Sequence, residues 1–305
     1  MNAHERYAML EREPFRQVGG RSQTVKGSFD SIADVFRHRE MLGLLVRRDL
    51  KSRYKDSALG FLWTLVRPLT QLAIYYVVIG HFLGAARGIP DFAIYVFTGL
   101  TAYTLFAEIV STGTSSIVSN AGLIKKVQLP REVFPLASVG SALFNFAIQL
   151  GILLVAALIL GVFPAHWDLL YAIPSLVLLV TVGTALALLL SAWNVYLRDI
   201  GYLLEVVLMV MLWASPIVYA FSMVKSVLGP SILLEIYTNN PLTLAVLGFQ
   251  KAFWVGGNGS AEFPPAEYPD QLLLRMLIAI GISLVFLVIS QRVFTRLQGN
   301  FAQEL

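Results

Sequence analysis

Residues 47–68, RRDLKSRYKDSALGFLWTLVRP, change character near their middle. The first half is basic and too polar to enter a bilayer. The second half opens an apolar run that continues to Leu83. The junction falls near residues 58–60. Lys and Arg beside a first span favour the cytoplasmic side, so this junction predicts which side of a membrane the chain starts from.

Composition agrees. Of 305 residues, 56% are hydrophobic and 14% charged, with a mean hydropathy of +0.68; soluble domains carry roughly 25% charge. The expectation is an all-α polytopic membrane protein. There is no cysteine, which excludes disulfide and thiolate chemistry, and the four histidines (His4, His38, His81, His166) show no ligand spacing, so no metal site is expected. Residues 1–55 hold twelve of the 23 Lys and Arg, but seven acids lie among them. That mixture reads as a solvated segment beside anionic lipid rather than a nucleic-acid surface. Residues 1–30 are polar, without the apolar core of a cleavable signal peptide.

Along the chain, residues 1–30 read as a polar cytoplasmic tail. Residues 31–57 read as an amphipathic interface helix. Ser31 and Asp34 have the form of a capping box, and Ile32, Val35, Phe36, Leu42, Leu45 and Val46 recur at helical spacing with basic residues between them. Residues 58–305 hold six segments of about 20 apolar residues, the length that crosses a bilayer as helix. They lie near 60–83, 92–110, 136–162, 170–193, 202–221 and 272–293, and a small polar run, 111–119, follows the second. Six spans place both termini inside. The inner loops then carry Lys125, Lys126, Arg131 and Arg198 and the inner tail Arg292 and Arg296, whereas the outer loops carry fewer cations.

Residues 222–271 stand apart. Two apolar pieces, 231–236 and 242–254, are too short to span, and Pro230, Pro241, Pro264, Pro265 and a GGNGS run interrupt them. They suit either surface helices on an external loop or re-entrant half-helices that close the outer mouth of a pathway. Gly80 and Gly84 have the spacing of a close-packing motif, but equally mark the end of the first span.

Several chemistries are missing. There is no G-x-x-x-x-G-K-[ST] loop, so the chain does not bind ATP in that manner, and no H-E-x-x-H or G-x-S-x-G. Ionisable residues within spans are few. Glu108 is the clearest, and a charge at mid-membrane costs roughly 2.5–3.5 kcal/mol on insertion scales. Glu108 therefore has a structural partner, lines a pathway or relays protons. Tyr75, Tyr103, Phe106, Trp213 and Tyr219 belong either to interfacial belts or to a pathway whose rings pack on sugar faces.

The loops narrow the choice. NAGLIKKVQLPREVFP at 120–135, NVYLRD at 194–199 and SPIVY at 215–219, with RDLKSRY at 48–54, GFLW at 60–63, NPLT at 240–243 and a closing NFAQEL, resemble the permease subunits of ABC-2 type polysaccharide exporters. That family includes O-antigen, capsule, teichoic acid and galactan permeases. The resemblance covers most of residues 40–305. It implies a homodimer working with two copies of a separate ABC ATPase that binds ATP and Mg. It implies residence in the bacterial cytoplasmic (inner) membrane, and a cargo of glycan on a lipid pyrophosphate. Carried over, the ATPase contacts are Asn120, Lys125, Lys126, Pro130, Arg131 and Glu132 in the first inner loop and Asn194, Arg198 and Asp199 in the second. Arg47, Arg48, Lys51, Arg53 and Arg67 would attract the pyrophosphate or lipid headgroups at the inner entrance, because guanidinium geometry suits phosphate oxygens. The chain itself would break no covalent bond.

Two other readings stay open. An ABC-2 drug or lipid exporter permease would share the fold. A polyprenyl-phosphate glycosyltransferase would need an acidic cluster near an outer loop, for which Asp91, Glu262, Glu267 and Asp270 are available without a motif.

Overall fold

The computed structural model describes residues 39–54, 63–82, 84, 88–126, 129–259 and 264–305. Every regular element among them is helical. Helix α1 is Arg39–Tyr54, and α2 is Trp63–Ile74, continued by a π-helical segment, Tyr75–Phe82. Then follow α3 (Phe92–Ser119), α4 (Ala121–Ile124), α5 (Val133–Ile159), a 3-10 turn (Trp167–Tyr171), α6 (Ala172–Tyr196) and α7 (Asp199–Trp213). Three short helices come next: α8 (Phe221–Leu228), α9 (Ile232–Thr238) and α10 (Pro241–Phe253). The chain closes with α11 (Leu272–Leu297), a 3-10 turn (Gln298–Asn300) and α12 (Phe301–Glu304).

Among the described residues, four helices are long and apolar enough to cross a membrane: Phe92–Ser119, Val133–Ile159, Trp167–Tyr196 and Leu272–Asn300. The pair α9–α10, bent by 69°, makes up to five. Two of the expected six, 60–83 and 202–221, are not among these helices. The described part of the first is α2 and its π continuation, twenty residues with Pro68 inside. A proline lacks the N–H of the helical ladder, and π turns accommodate such local faults. Beyond Phe82, Gly84 has φ 75°, the left-handed conformation that ends a helix. The fifth is shorter than expected: α7 stops at Trp213 instead of running to 221, in keeping with Pro216, which disfavours helical backbone at the residue before it.

The second span is longer than the apolar run predicts. Its polar tail stays in α3, since the hydroxyls fold back on the helix: Thr112 Oγ1 donates to the Glu108 carbonyl at 2.6 Å, Thr114 to Val110 at 2.7 Å and Ser119 to Ser115 at 2.9 Å. A hydroxyl bonded to the carbonyl one turn back no longer needs water.

Helix α6 is the hub, packing on α3, α10 and α11. Close approach depends on small residues. A Cβ on Gly113 of α3 would overlap Ala187 of α6, and one on Gly183 of α6 would sit 2.9 Å from Ile109 of α3. Gly248 of α10 rests against Ser175 and Met276 in the same way.

Helix α10 decides against a surface helix at 242–254, one of the two alternatives the sequence left open. All of 242–253 except Lys251 is buried, in the core formed by α3, α6 and α11. It is begun by Pro241 at its first turn and by Asn240, whose side chain caps the Leu242 N–H at 3.0 Å. Of the three short helices, α8 and α9 keep exposed apolar faces, at Val227, Ile232, Leu233 and Ile236.

Of the expected amphipathic helix, 31–38 and 55–57 lie outside the described residues. The described part, α1, turns Leu42, Leu45 and Val46 onto α5 and the neighbouring cluster, leaving Arg47, Arg48 and Lys51 exposed. That three-and-four spacing marks one face of a helix.

Candidate functional site

A polar groove of about 670 Å³ runs between α2, α3, α5 and α7. Trp63, Thr64, Pro68 and Gln71 form one wall, and Asn145 and Gln149, one turn apart on α5, form the other. Tyr103, Thr104, Glu108, Ser111 and Thr112 of α3 make its floor. Asn145 Nδ2 donates to Glu108 Oε1 at 2.6 Å, and Tyr103 Oη donates to the Leu208 carbonyl of α7 at 2.8 Å. The Asn145 amide is thus a structural partner for the carboxylate of Glu108, which at the same time lines the groove. Hydroxyls, amides and rings side by side can bond a polyol's oxygens and pack on its carbon faces.

Across α7 lies a second crevice of about 380 Å³, lined almost wholly by apolar groups that include Phe106, Trp193, Leu203 and Val207. Leu208 borders both spaces. Tyr103 and Glu108 therefore share the groove, and Phe106 faces the other crevice. The side chain of Tyr75 lies outside the described residues. Trp213 and Tyr219 meet away from the groove, where Tyr219 Oη donates to the Trp213 carbonyl at 2.7 Å.

At one end of the bundle the loops 120–135 and 194–199, α1 and the C-terminal tail come together. Arg48 Nη2 donates to Asn120 Oδ1 at 2.7 Å and to Asp49 at 2.7 Å. Asn120 Nδ2 returns to the Ser116 carbonyl at 2.8 Å, and Asn194 Nδ2 donates to the Thr114 carbonyl at 3.2 Å. Lys125, Lys126, Arg198 and Asp199 are exposed. Arg131 lies over the ring of Phe301 at 5.7 Å, and the Pro130 carbonyl accepts the Val133 N–H, starting α5. Glu132 does not project outward as a surface contact. It is 1% exposed, and its Oε1 accepts from Gln298 Nε2 at 3.3 Å and Gln291 Nε2 at 3.5 Å. Sequence spacing cannot show this, because the residues that enclose Glu132 come from the other end of the chain. Arg47 and Lys51 are exposed on α1; the side chains of Arg53 and Arg67 lie outside the described residues.

A family model for ABC-2 type transporters matches residues 40–254. The chain belongs to the ABC-2 type transporter family. This ABC-2 chain is 28% identical over 274 residues to the O-antigen export system permease protein RfbA of Myxococcus xanthus, covering 90% of this chain and 98% of that protein. It is 29% identical over 268 residues to an RfbA permease of Klebsiella pneumoniae, covering 87% and 95%. Similarity to the polysialic acid transport protein KpsM of Escherichia coli, 28% identical, extends over 81 residues, 26% of this chain and 31% of that one. Family and helices together identify a multi-pass membrane protein.

The opposite end of the ABC-2 bundle is tied together by side-chain hydrogen bonds. Tyr95 Oη lies 3.0 Å from the Pro216 carbonyl and 2.7 Å from that of Tyr219, Gln250 Nε2 donates to Pro216 at 2.7 Å, and Trp254 Nε1 donates to Pro90 at 2.7 Å. Lys251 caps the Tyr171 ring at 4.2 Å and lies 3.7 Å from Asp168. Burial, with Asp168 nearby, holds the Tyr268 hydroxyl well above the usual phenol range, so it stays neutral. Of the acids open to an enzyme reading, Glu262 lies outside the described residues. Glu267 is taken by Lys225 at 2.8 Å, and no group of three or more His, Asp or Glu suited to a metal occurs among the described residues.

Sequence reading missed Gln71, Asn145 and Gln149 in the groove and Gln250 and Trp254 at the strap. The available signal was two amides four residues apart inside an apolar run, Asn145 and Gln149, which a helix places on one face.

Proposed function

We propose that this chain is the membrane-spanning subunit of an ATP-driven exporter that moves a lipid-pyrophosphate-linked polysaccharide across the bacterial cytoplasmic membrane. The groove between α2, α3, α5 and α7 carries this reading, because amides, hydroxyls and rings crossing an otherwise apolar bundle suit a polyol better than an apolar drug. The end-to-end similarity to O-antigen export permeases supports the same cargo.

In this reading six spans leave both termini in the cytoplasm, and the permease acts as a homodimer with two ATPase subunits that hold ATP and Mg. Lys125, Lys126, Arg131, Arg198 and Asp199 meet the ATPase, while Asn120, Pro130, Glu132 and Asn194 shape the loops behind them. Arg47, Arg48, Lys51, Arg53 and Arg67 draw the pyrophosphate or lipid headgroup to the groove's cytoplasmic side. Closure of the ATPase pair displaces the loops, the displacement opens the groove, and α8–α10 release the outer mouth. The glycan then threads past Tyr103, Glu108 and Asn145.

The test is reconstitution in liposomes with the co-purified ATPase and a pyrophosphate-linked glycan. ATP-dependent translocation, abolished by the triple change Lys125→Ala, Lys126→Ala and Arg131→Ala while the complex still co-purifies, is the expected result. Transport of an apolar dye but not of the glycan would move the assignment to a drug exporter. Covalent change of the glycan by the chain alone would point to an enzyme.

A further inference from the structure

The end of α11 and the tail after it make polar and aromatic contacts with both loops at the basic end. Phe301 is fully buried, its ring edge-on to Phe294 at 5.5 Å and to Tyr196 at 6.2 Å. Arg131, from the first loop, covers the same ring. Tyr196, from the second, donates its hydroxyl to the Leu297 carbonyl at 2.8 Å. Glu132 is held by Gln298 and, more weakly, by Gln291. Among the described residues, no hydrogen bond or ion pair joins 120–135 directly to 194–199; Glu132 reaches Gln298 of the tail, Tyr196 reaches Leu297 at the end of α11, and the tail's Phe301 lies against both Arg131 and Tyr196.

Glu132 is also an odd choice for stability alone. Its Oε2 is buried without a hydrogen-bond partner. An unsatisfied buried acceptor is costly, and an apolar residue of similar size would generally serve a static core as well or better. Its retained oxygen makes sense as a handle on the tail.

We propose that residues 298–305 fasten the two loops into one moving body, with Glu132 and Phe301 as positioning residues, so that a push on either loop reaches α5, α6 and α11 together. This rests on the coupling role assigned to the loops above. Without the fastening, the ATPase would still engage and cycle, but its stroke would be spent in separate loop movements.

The readout is ATP hydrolysed per glycan translocated, measured in the reconstituted complex. Phe301→Ala and Glu132→Leu are expected to raise this ratio on the order of tenfold, the scale set by losing aromatic edge contacts or a buried hydrogen bond, with ATPase co-purification unchanged. Glu132→Gln keeps an acceptor oxygen and is expected to stay near wild type. Because the chain has no cysteine, Glu132→Cys with Gln298→Cys gives a unique pair. Coupling is expected to fall in the reduced pair and to return when a short thiol crosslinker joins it. Wild-type ratios in Phe301→Ala, or a crosslink that stops transport because the tail has to detach, would overturn the proposal while leaving the exporter reading intact. A wild-type complex that hydrolyses ATP without moving glycan would overturn both.

Discussion

Tyr95 shows how one hydroxyl governs an element boundary. Its Oη sits between the carbonyls of Pro216 and Tyr219, in the segment where α7 has ended and α8 has not begun. Gln250 already donates to the Pro216 carbonyl, so the single Tyr95 proton serves the Tyr219 carbonyl, which needs a donor where water is excluded. Tyr95→Phe keeps the ring against Trp254 and removes the donor. It is expected to destabilise the protein by about 1–2 kcal/mol, read as a lower melting temperature in detergent. Gly113 is a steric case. Its α-carbon faces Ala187 with no room for a side chain, so Gly113→Leu is expected to separate α3 from α6 and cost about 1–3 kcal/mol or more. Loss of folded protein on size exclusion checks this; wild-type stability would mean the helices can slide at little cost.

At the scale of elements, α10 owes its direction to its beginning. Asn240 caps it and Pro241 cannot continue the helix before it, so the chain turns by 69° and enters the core. Asn240→Ala is expected to cost about 1 kcal/mol and to increase hydrogen exchange in 241–245 more than in α11. Uniform exchange across both helices would argue against local capping. Helix α7 behaves differently. Only Leu204 and Leu208 are buried along it, and it separates the polar groove from the apolar crevice. An element so lightly held is suited to move, which agrees with a route that opens beside it.

At the scale of the molecule, exposed apolar side chains cover α7 and α11, among them Leu203, Val206, Met209, Leu277, Ile282 and Val285. In a bilayer such faces meet lipid or another subunit at no cost in hydration. The homodimer in the proposed function predicts that the purified permease sediments as two chains of 33.7 kDa each. A single chain that still transports in the ATPase complex would remove the dimer from the mechanism.

Much of this was readable from composition and order. A chain with few charges must satisfy its backbone within helices once it enters lipid, so the all-helical class, the long spans of α3, α5, α6 and α11, and the loop motifs followed from local sequence. Local sequence cannot report what approaches from elsewhere. The apolar letters of 242–253 are the same for a surface helix and a buried one, and only the space between α3, α6 and α11 decided for burial. Glu132 looked like a surface charge because the Gln291, Gln298 and Phe301 region that encloses it lies more than 150 residues away. Glu108 was visible as a charge in a span, but its partner, Asn145, sits on another helix. Periodicity along one segment determines which element forms and which face is apolar; which faces meet depends on packing of the whole chain, and that determined where the groove, the strap and the tail contacts lie.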